Sequence, residues 1–216
     1  MFDFDGVLVE SVDVKTRAFA ALYEEHGKEV AAAVVAHHLA HGGLSRFEKF
    51  RHCHRAFLGR NLSTAEERAM GERFSALVED AVVASAWIPG AREFLEGWRG
   101  RLPMYVASGT PEAELLRIVE RRGMARYFTG VRGTPATKGE LIAGFARAEG
   151  VSPERVLMVG DSTTDYEGAL HAGSDFVGIA SSAVPVFGPE VAVLPDLTGL
   201  ARCIEAPAAA FQRSRS

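Results

Sequence analysis

Cysteine is scarce in this chain of 216 residues: only Cys53 and Cys203 are present, 150 positions apart by their numbers. Nothing resembles a disulfide framework. Long apolar runs are also missing, so no segment reaches transmembrane length, and no secretory leader pattern opens the chain. These absences lead us to expect a reduced, cytoplasmic protein with no membrane partner. Basic charge is not in surplus either, with 24 Lys and Arg against 28 Asp and Glu, a net charge of -4 and a pI near 6.0. That balance argues against a nucleic-acid partner, which would call for clustered excess cations. Internal repeats are lacking as well. What the chain does have is a 47% hydrophobic fraction, enough for one sizeable core, or a core with an inserted subdomain.

The apolar pattern divides the chain. From Val12 to about Ala86 strand character disappears, and Phe19, Leu22 and Tyr23 recur at helical spacing. Gly42-Gly43 breaks one helix, and the capping-box pattern Ser63-Thr64-Ala65-Glu66 opens another that is expected to run to about Ala84. After Trp87-Ile88-Pro89-Gly90 the style changes. Short apolar strands are expected at Leu102 to Ala107, Val156 to Val159, Phe176 to Ile179 and Val191 to Leu194, alternating with helices. Such alternation implies an α/β protein with a doubly wound, Rossmann-like parallel sheet. We therefore expect a discontinuous core of residues 1–11 plus 87–205, a helical cap of residues 12–86, and a poorly ordered tail at 206–216.

Four short segments carry the chemistry. In Met1-Phe2-Asp3-Phe4-Asp5-Gly6, two acids end an apolar stretch, and strand alternation would point Asp3 and Asp5 the same way. Open parallel sheets hold ligands at such strand ends, although Asp-x-Asp-Gly is also ordinary turn chemistry. Tyr105-Val106-Ala107-Ser108-Gly109-Thr110-Pro111 is a strand running into a small polar turn. Its N–H groups and hydroxyls suit a phosphate oxygen, while Thr110 as a plain helix cap is the alternative. Lys138 sits at a helix start, as a fixed cation for phosphoryl chemistry or as a surface charge. Finally, Val156 to Asp165 releases Asp161 past a strand end and places Asp165 on the incoming helix. Hard oxygens from Asp3 and Asp161 suit Mg²⁺, and Asp165 also reads as the third-position acid of a capping box begun by Ser162.

In this order, the four motifs resemble the haloacid dehalogenase-like superfamily, in the branch with a helical cap, similar to phosphoglycolate phosphatases and β-phosphoglucomutase-like enzymes. The resemblance covers Met1 to about Ile179. It implies that Asp3 is the nucleophile that forms an aspartyl-phosphate, with Asp5 as acid and then base. It also implies Mg²⁺ held by Asp3, the Asp5 carbonyl and Asp161 with Asp165 in support, phosphate oxygens held by Ser108 and Gly109, and Lys138 bridging nucleophile and phosphate. An acid at position 5 points to phosphate esters rather than organohalides or phosphonates.

The expected activity is thus a Mg²⁺-dependent phosphomonoesterase acting on a small phosphorylated metabolite, as monomer or homodimer. The alternatives are a sugar-phosphate mutase or a catalytically weak metabolite-binding protein of the same fold. Lys15 stands where the mutases carry a histidine twelve positions after the nucleophile, which favours the phosphatase. In the helical segment, Gly42-Gly43-Leu44-Ser45-Arg46 is similar to a substrate loop of the sugar-phosphate enzymes, so Arg46 is a candidate substrate contact. So is His41, from a group that includes His37, His38, His52 and His54. His37 and His41, at i and i+4, could also hold a transition metal, although no acid or thiol is convincingly placed with them. Only Met1 and Phe2 precede Asp3, where relatives carry several apolar residues, so a stunted first strand or a truncated start is expected.

Overall fold

A computed structural model describes residues 1–180 and 186–205; the expected tail at 206–216 lies outside the described residues. Helices α1 (Val12–Tyr23), α2 (Lys28–Ala40), α3 (Arg46–Phe57) and α4 (Thr64–Ala84) come first, followed by α5 (Ala91–Trp98). Strands and helices then alternate: β1 (Tyr105–Pro111), α6 (Glu112–Arg121), β2 (Gly130–Thr134), α7 (Lys138–Ala148), β3 (Leu157–Gly160), α8 (Thr163–Ala172), β4 (Asp175–Ile179), β5 (Val193–Leu194) and α9 (Leu200–Glu205). The chain is α/β, with a parallel sheet and an all-helical region near its amino terminus.

The sheet order is β2-β1 on one side and β3-β4-β5 on the other, and the amino terminus joins the two. Phe2 bridges in parallel to both Val106 and Val159. Its N–H donates to Tyr105 O and its carbonyl accepts from Ala107 N, each at 2.9 Å, while Asp3 N donates to Val159 O at 2.9 Å. The first strand is therefore as short as its sequence suggests, yet it occupies the centre of the sheet. Strand alternation sorts the apolar residues onto two faces. Phe2, Val106, Val159, Val177 and Ile179 join Phe94 and Leu95 of α5 and Leu115, Ile118 and Val119 of α6 in one buried cluster. Met158, with Met1 and Phe176, packs against Ile142 of α7 and Ala169 of α8 in another.

Two differences from the sequence reading have local causes. The strand expected at Leu102 to Ala107 begins at Tyr105 and continues to Pro111, with an irregularity in its pairing to β2 between Ala107 and Pro111. Strand β2, Gly-Val-Arg-Gly-Thr, has one apolar side chain in five and so leaves no apolar run to detect. The helical boundaries follow their caps. Ser45 with Glu48, Ser63 with Glu66, Thr137 with Glu140 and Ser162 with Asp165 all close reciprocal capping boxes. The chain leaves for the helical segment and returns through an antiparallel contact of Val9 with Trp87, in which Glu10 N donates to Ala86 O and Ile88 N to Leu8 O.

Candidate active site

The parallel strands end in one place, and the acids end there with them. Asp3 is 3% exposed, and its Oδ1 lies 2.8 Å from the Lys138 ammonium. Lys138, the first residue of α7, also meets Asp165 Oδ1 at 2.6 Å and donates to the Ala107 carbonyl at 2.6 Å. Asp165 is fully buried on α8, and its Oδ2 accepts from the Ser162 hydroxyl at 2.6 Å and the Ser162 N–H at 3.2 Å. The capping-box reading of Asp165 thus holds through its Oδ2, while its Oδ1 is turned to Lys138. Asp3, Asp161 and Asp165 each offer an oxygen within 4.8 Å of the others. Gly6, at φ +75°, makes room for this: a Cβ there would lie 2.2 Å from Asp161 Oδ2.

Charge is stored in this cluster. Burial, opposed by Lys138 and aided by Asp165 and Asp5, pushes Asp3 up to about 7. Burial and then the neighbouring Asp3 and Asp165 raise Asp161 well above the usual carboxylate range. Lys138 moves the other way from what burial alone would do, because Asp165 and Asp3 hold its proton. Three crowded carboxylates with one cation are short of positive charge, and hard oxygens at this spacing fit a divalent ion such as Mg²⁺.

Asp5 lies past the end of the short strand, so its direction is set by a turn rather than by alternation. Its carboxylate accepts from the Ser11 hydroxyl at 2.6 Å, the Lys15 ammonium at 2.5 Å and the Thr110 hydroxyl at 3.2 Å. Burial works to raise Asp5, but Lys15 and these hydrogen bonds outweigh it and keep the carboxylate below its ordinary value. Ser11 and Lys15 were missed as partners of Asp5 in the sequence reading; their signal was the i, i+4 spacing at the start of α1, which puts both on one face.

A cavity of about 170 Å³ is lined by Asp3, Asp5, Asp161, Lys15, Gly109 and Thr110 from below, and by Gly42, Gly43, Arg46, His38 and Lys49 of the helical segment from above. Ser108 and Lys138 line a neighbouring cleft instead, and Gly109 lines both. The partition is the loop at Gly43: a Cβ on Gly109 would sit 2.3 Å from the Gly43 carbonyl oxygen. Thr164 donates to the Gly42 carbonyl at 2.8 Å, fixing the same loop to α8.

Arg46 borders the cavity, but its guanidinium is taken. One end reaches Ser75 Oγ and Glu114 Oε2, each at 2.9 Å, and the other reaches Glu114 Oε1 at 2.6 Å. His41 is exposed and outside the cavity lining, with its Nδ1 2.9 Å from the His37 carbonyl. The imidazole that borders the cavity is His38, buried one turn earlier on α2. His37 stacks on His52 at 3.9 Å and 5° and packs on His41 at 4.1 Å; stacked ring faces do not converge nitrogens on a metal.

An open parallel α/β sheet with buried carboxylates and a lysine gathered at its strand ends, beneath an inserted helical segment, defines the class. Residues 1–173 match the family of haloacid dehalogenase-like hydrolases, and the chain belongs to that family. It is 27% identical over 189 residues to a phosphoglycolate phosphatase from Pseudomonas putida, covering 83% of this chain and 68% of that protein. Among solved structures, a predicted phosphoglycolate phosphatase from Haemophilus somnus superimposes with a TM-score of 0.74 at 18% identity, over 94% of this chain and 96% of that one. The HAD-hydrolase YfnB from Bacillus subtilis, bound to magnesium, does so at 0.69 and 17%, over 95% and 97%. At these identities the structures share the fold. No helix among the described residues is long and apolar enough to cross a membrane.

Proposed function

We propose that this protein is a Mg²⁺-dependent phosphomonoesterase that hydrolyses a small phosphorylated metabolite through an aspartyl-phosphate on Asp3, with residues 12–86 as a cap over a core of residues 1–11 and 87–205. The observation that carries this reading is the contact of Asp3 with Lys138 at 2.8 Å inside a cluster of three carboxylates. A buried carboxylate paired to a fixed cation is placed to attack phosphorus while the cation meets the phosphoryl oxygens. Asp3, Asp161 and Asp165 would hold the Mg²⁺, with the Asp5 carbonyl, and the ion would offset charge on the transferring group.

The steps then fall to the chain's own residues. Asp3 attacks phosphorus, the bond to the ester oxygen breaks, and that oxygen takes a proton from Asp5. Asp5 then accepts a proton from water, the water oxygen attacks phosphorus, and the bond to Asp3 breaks to release phosphate. Lys15 holds Asp5 as a carboxylate, ready for the second half. The proton that Asp5 gives to the leaving oxygen would be supplied by the bound monoanionic ester or by solvent, against the pull of the Lys15 contact at 2.5 Å. Ser108, Gly109 and Lys138 would receive the phosphoryl oxygens once the Gly43 loop lifts from Gly109.

Lys15 in place of a histidine, bound to Asp5, supports hydrolysis over mutase chemistry. The test is phosphate release from a panel of phosphate esters, with Mg²⁺ or with chelator. Turnover that needs Mg²⁺ and vanishes in Asp3→Asn supports the reading; an Asn variant that turns over as well as the parent refutes it.

A further inference from the structure

Among the cavity's cations, Lys49 alone lacks an acidic partner. Lys15 is paired with Asp5 and Arg46 with Glu114, whereas no carboxylate among the described residues comes within ion-pair distance of Lys49. It projects from α3, is 3% exposed, and borders the cavity above Asp5 and Asp161. A buried ammonium with no counter-ion is costly to the fold, and an anionic ligand would offset that cost.

Its contacts are those of a positioned group. Lys49 Nζ lies 2.9 Å from His38 Nδ1 and 3.4 Å from the His38 carbonyl, and 5.7 Å from the centre of the Phe19 ring. An ammonium can only donate, so His38 Nδ1 accepts and the ring proton sits on Nε2. That Nε2 is buried and has no hydrogen-bond partner. Phe19 packs against the same imidazole at 4.5 Å and holds it in place. The acidic side is different: Asp3, Asp5 and Asp161 of the pocket, with Asp165 behind them, face Lys15 and Lys138, and a bound divalent ion would offset the remaining negative charge. Lys49 is left over for the substrate.

Resting on the phosphomonoesterase reading, we propose that Lys49, positioned by His38, is the specificity-determining residue of this pocket and selects esters whose leaving group carries a second negative charge. A carboxylate and a second phosphoryl group share that chemistry. The cavity, at about 170 Å³, is below the usual size of ligand pockets, so the leaving group is short.

Non-hydrolysable phosphonates test this without turnover, so a failure of the catalytic reading and a failure of this one are separable. Binding to the Mg²⁺-loaded protein is measured by calorimetry for phosphonoacetate, methylenediphosphonate and the uncharged-arm 2-hydroxyethylphosphonate. The wild type is expected to prefer at least one doubly anionic probe to the hydroxyethyl compound, and which one it prefers separates carboxylate from phosphoryl. Lys49→Met is expected to lose about ten- to a hundredfold of that preference, the range for a lost charged hydrogen bond. His38→Gln should reduce the preference while leaving affinity for the hydroxyethyl probe in place, a split that a general loss of structure would not produce. Equal binding of all three probes by the wild type, no binding of any, or an unchanged preference in a folded Lys49→Met protein would each overturn the proposal.

Discussion

The Lys15 ammonium stands 2.5 Å from Asp5 Oδ2 and 2.7 Å from the Thr110 hydroxyl, which itself donates to the same carboxylate oxygen. One cation from the first helix thus sets the protonation of an acid at the first strand end and ties both to the end of β1. Lys15→Met removes the group that outweighs burial at Asp5, so the carboxyl is expected to rise toward and above its ordinary value. The limb of the rate profile that needs the Asp5 carboxylate then moves to higher pH, with kcat at neutral pH reduced. A pH profile superimposable on the wild type would show that Lys15 does not control Asp5.

On the proposed reading, metal and proton would compete for the acid cluster. Asp3 is raised to about 7 and Asp161 is raised as well, so in metal-free protein the fold binds protons that the unfolded chain has already released. For these groups, stability is highest below about pH 4 and falls as pH rises toward 7. Mg²⁺, if held by the cluster as proposed, would bind the ionised forms and reverse that loss. The rise in melting temperature on adding Mg²⁺ is expected to be larger at about pH 8 than at about pH 5.5; an increment independent of pH would contradict the cluster as the metal site.

The Arg46–Glu114 pair joins α3 to α6 with side chains 4% and 3% exposed. Removing one partner leaves a buried charge alone, which costs about 3–5 kcal/mol, whereas replacing both with apolar groups of similar volume is often nearly neutral. Glu114→Gln is therefore expected to destabilise strongly in denaturant unfolding, and Arg46→Met with Glu114→Leu to recover most of that loss. Equal stability of the single and double variants would show that the pair is not coupled.

The helical segment meets the strand ends closely at a glycine pair, Gly43 and Gly109, and the proposed closure would depend on it. Gly109→Ala places a methyl group 2.3 Å from the Gly43 carbonyl, an overpacking of about 1–3 kcal/mol that falls on the closed state. The expected result is a lower kcat/KM with little change in melting temperature, read from steady-state kinetics beside a thermal melt. Unchanged kinetics would show that the contact is not part of the working cycle.

The elements legible in the sequence were those with strong local signals. The capping box at Ser63 fixed the start of α4, Gly42-Gly43 ended α2 nearby, and the acids past apolar strand ends announced the pocket. Strand β2 was hidden because Gly130 and Gly133 leave it without an apolar pattern. The role of Lys15 and the partnership of Lys49 with His38 were hidden for another reason. Each depends on how helices α1, α2 and α3 are carried over the sheet, and tertiary placement of one helix on another leaves little trace in spacing. Arg46 shows the same limit in reverse: its loop drew attention from the sequence, but Glu114, 68 positions away, decides what its guanidinium does.

The most direct test of the account is the mass of Asp3 during turnover. Protein mixed with Mg²⁺ and a hydrolysed ester, quenched rapidly in acid and digested, is expected to carry one phosphoryl group on the amino-terminal peptide at Asp3, lost on base treatment and absent from Asp3→Asn. Turnover with no label on that peptide, or label on another residue, would contradict Asp3 as the nucleophile.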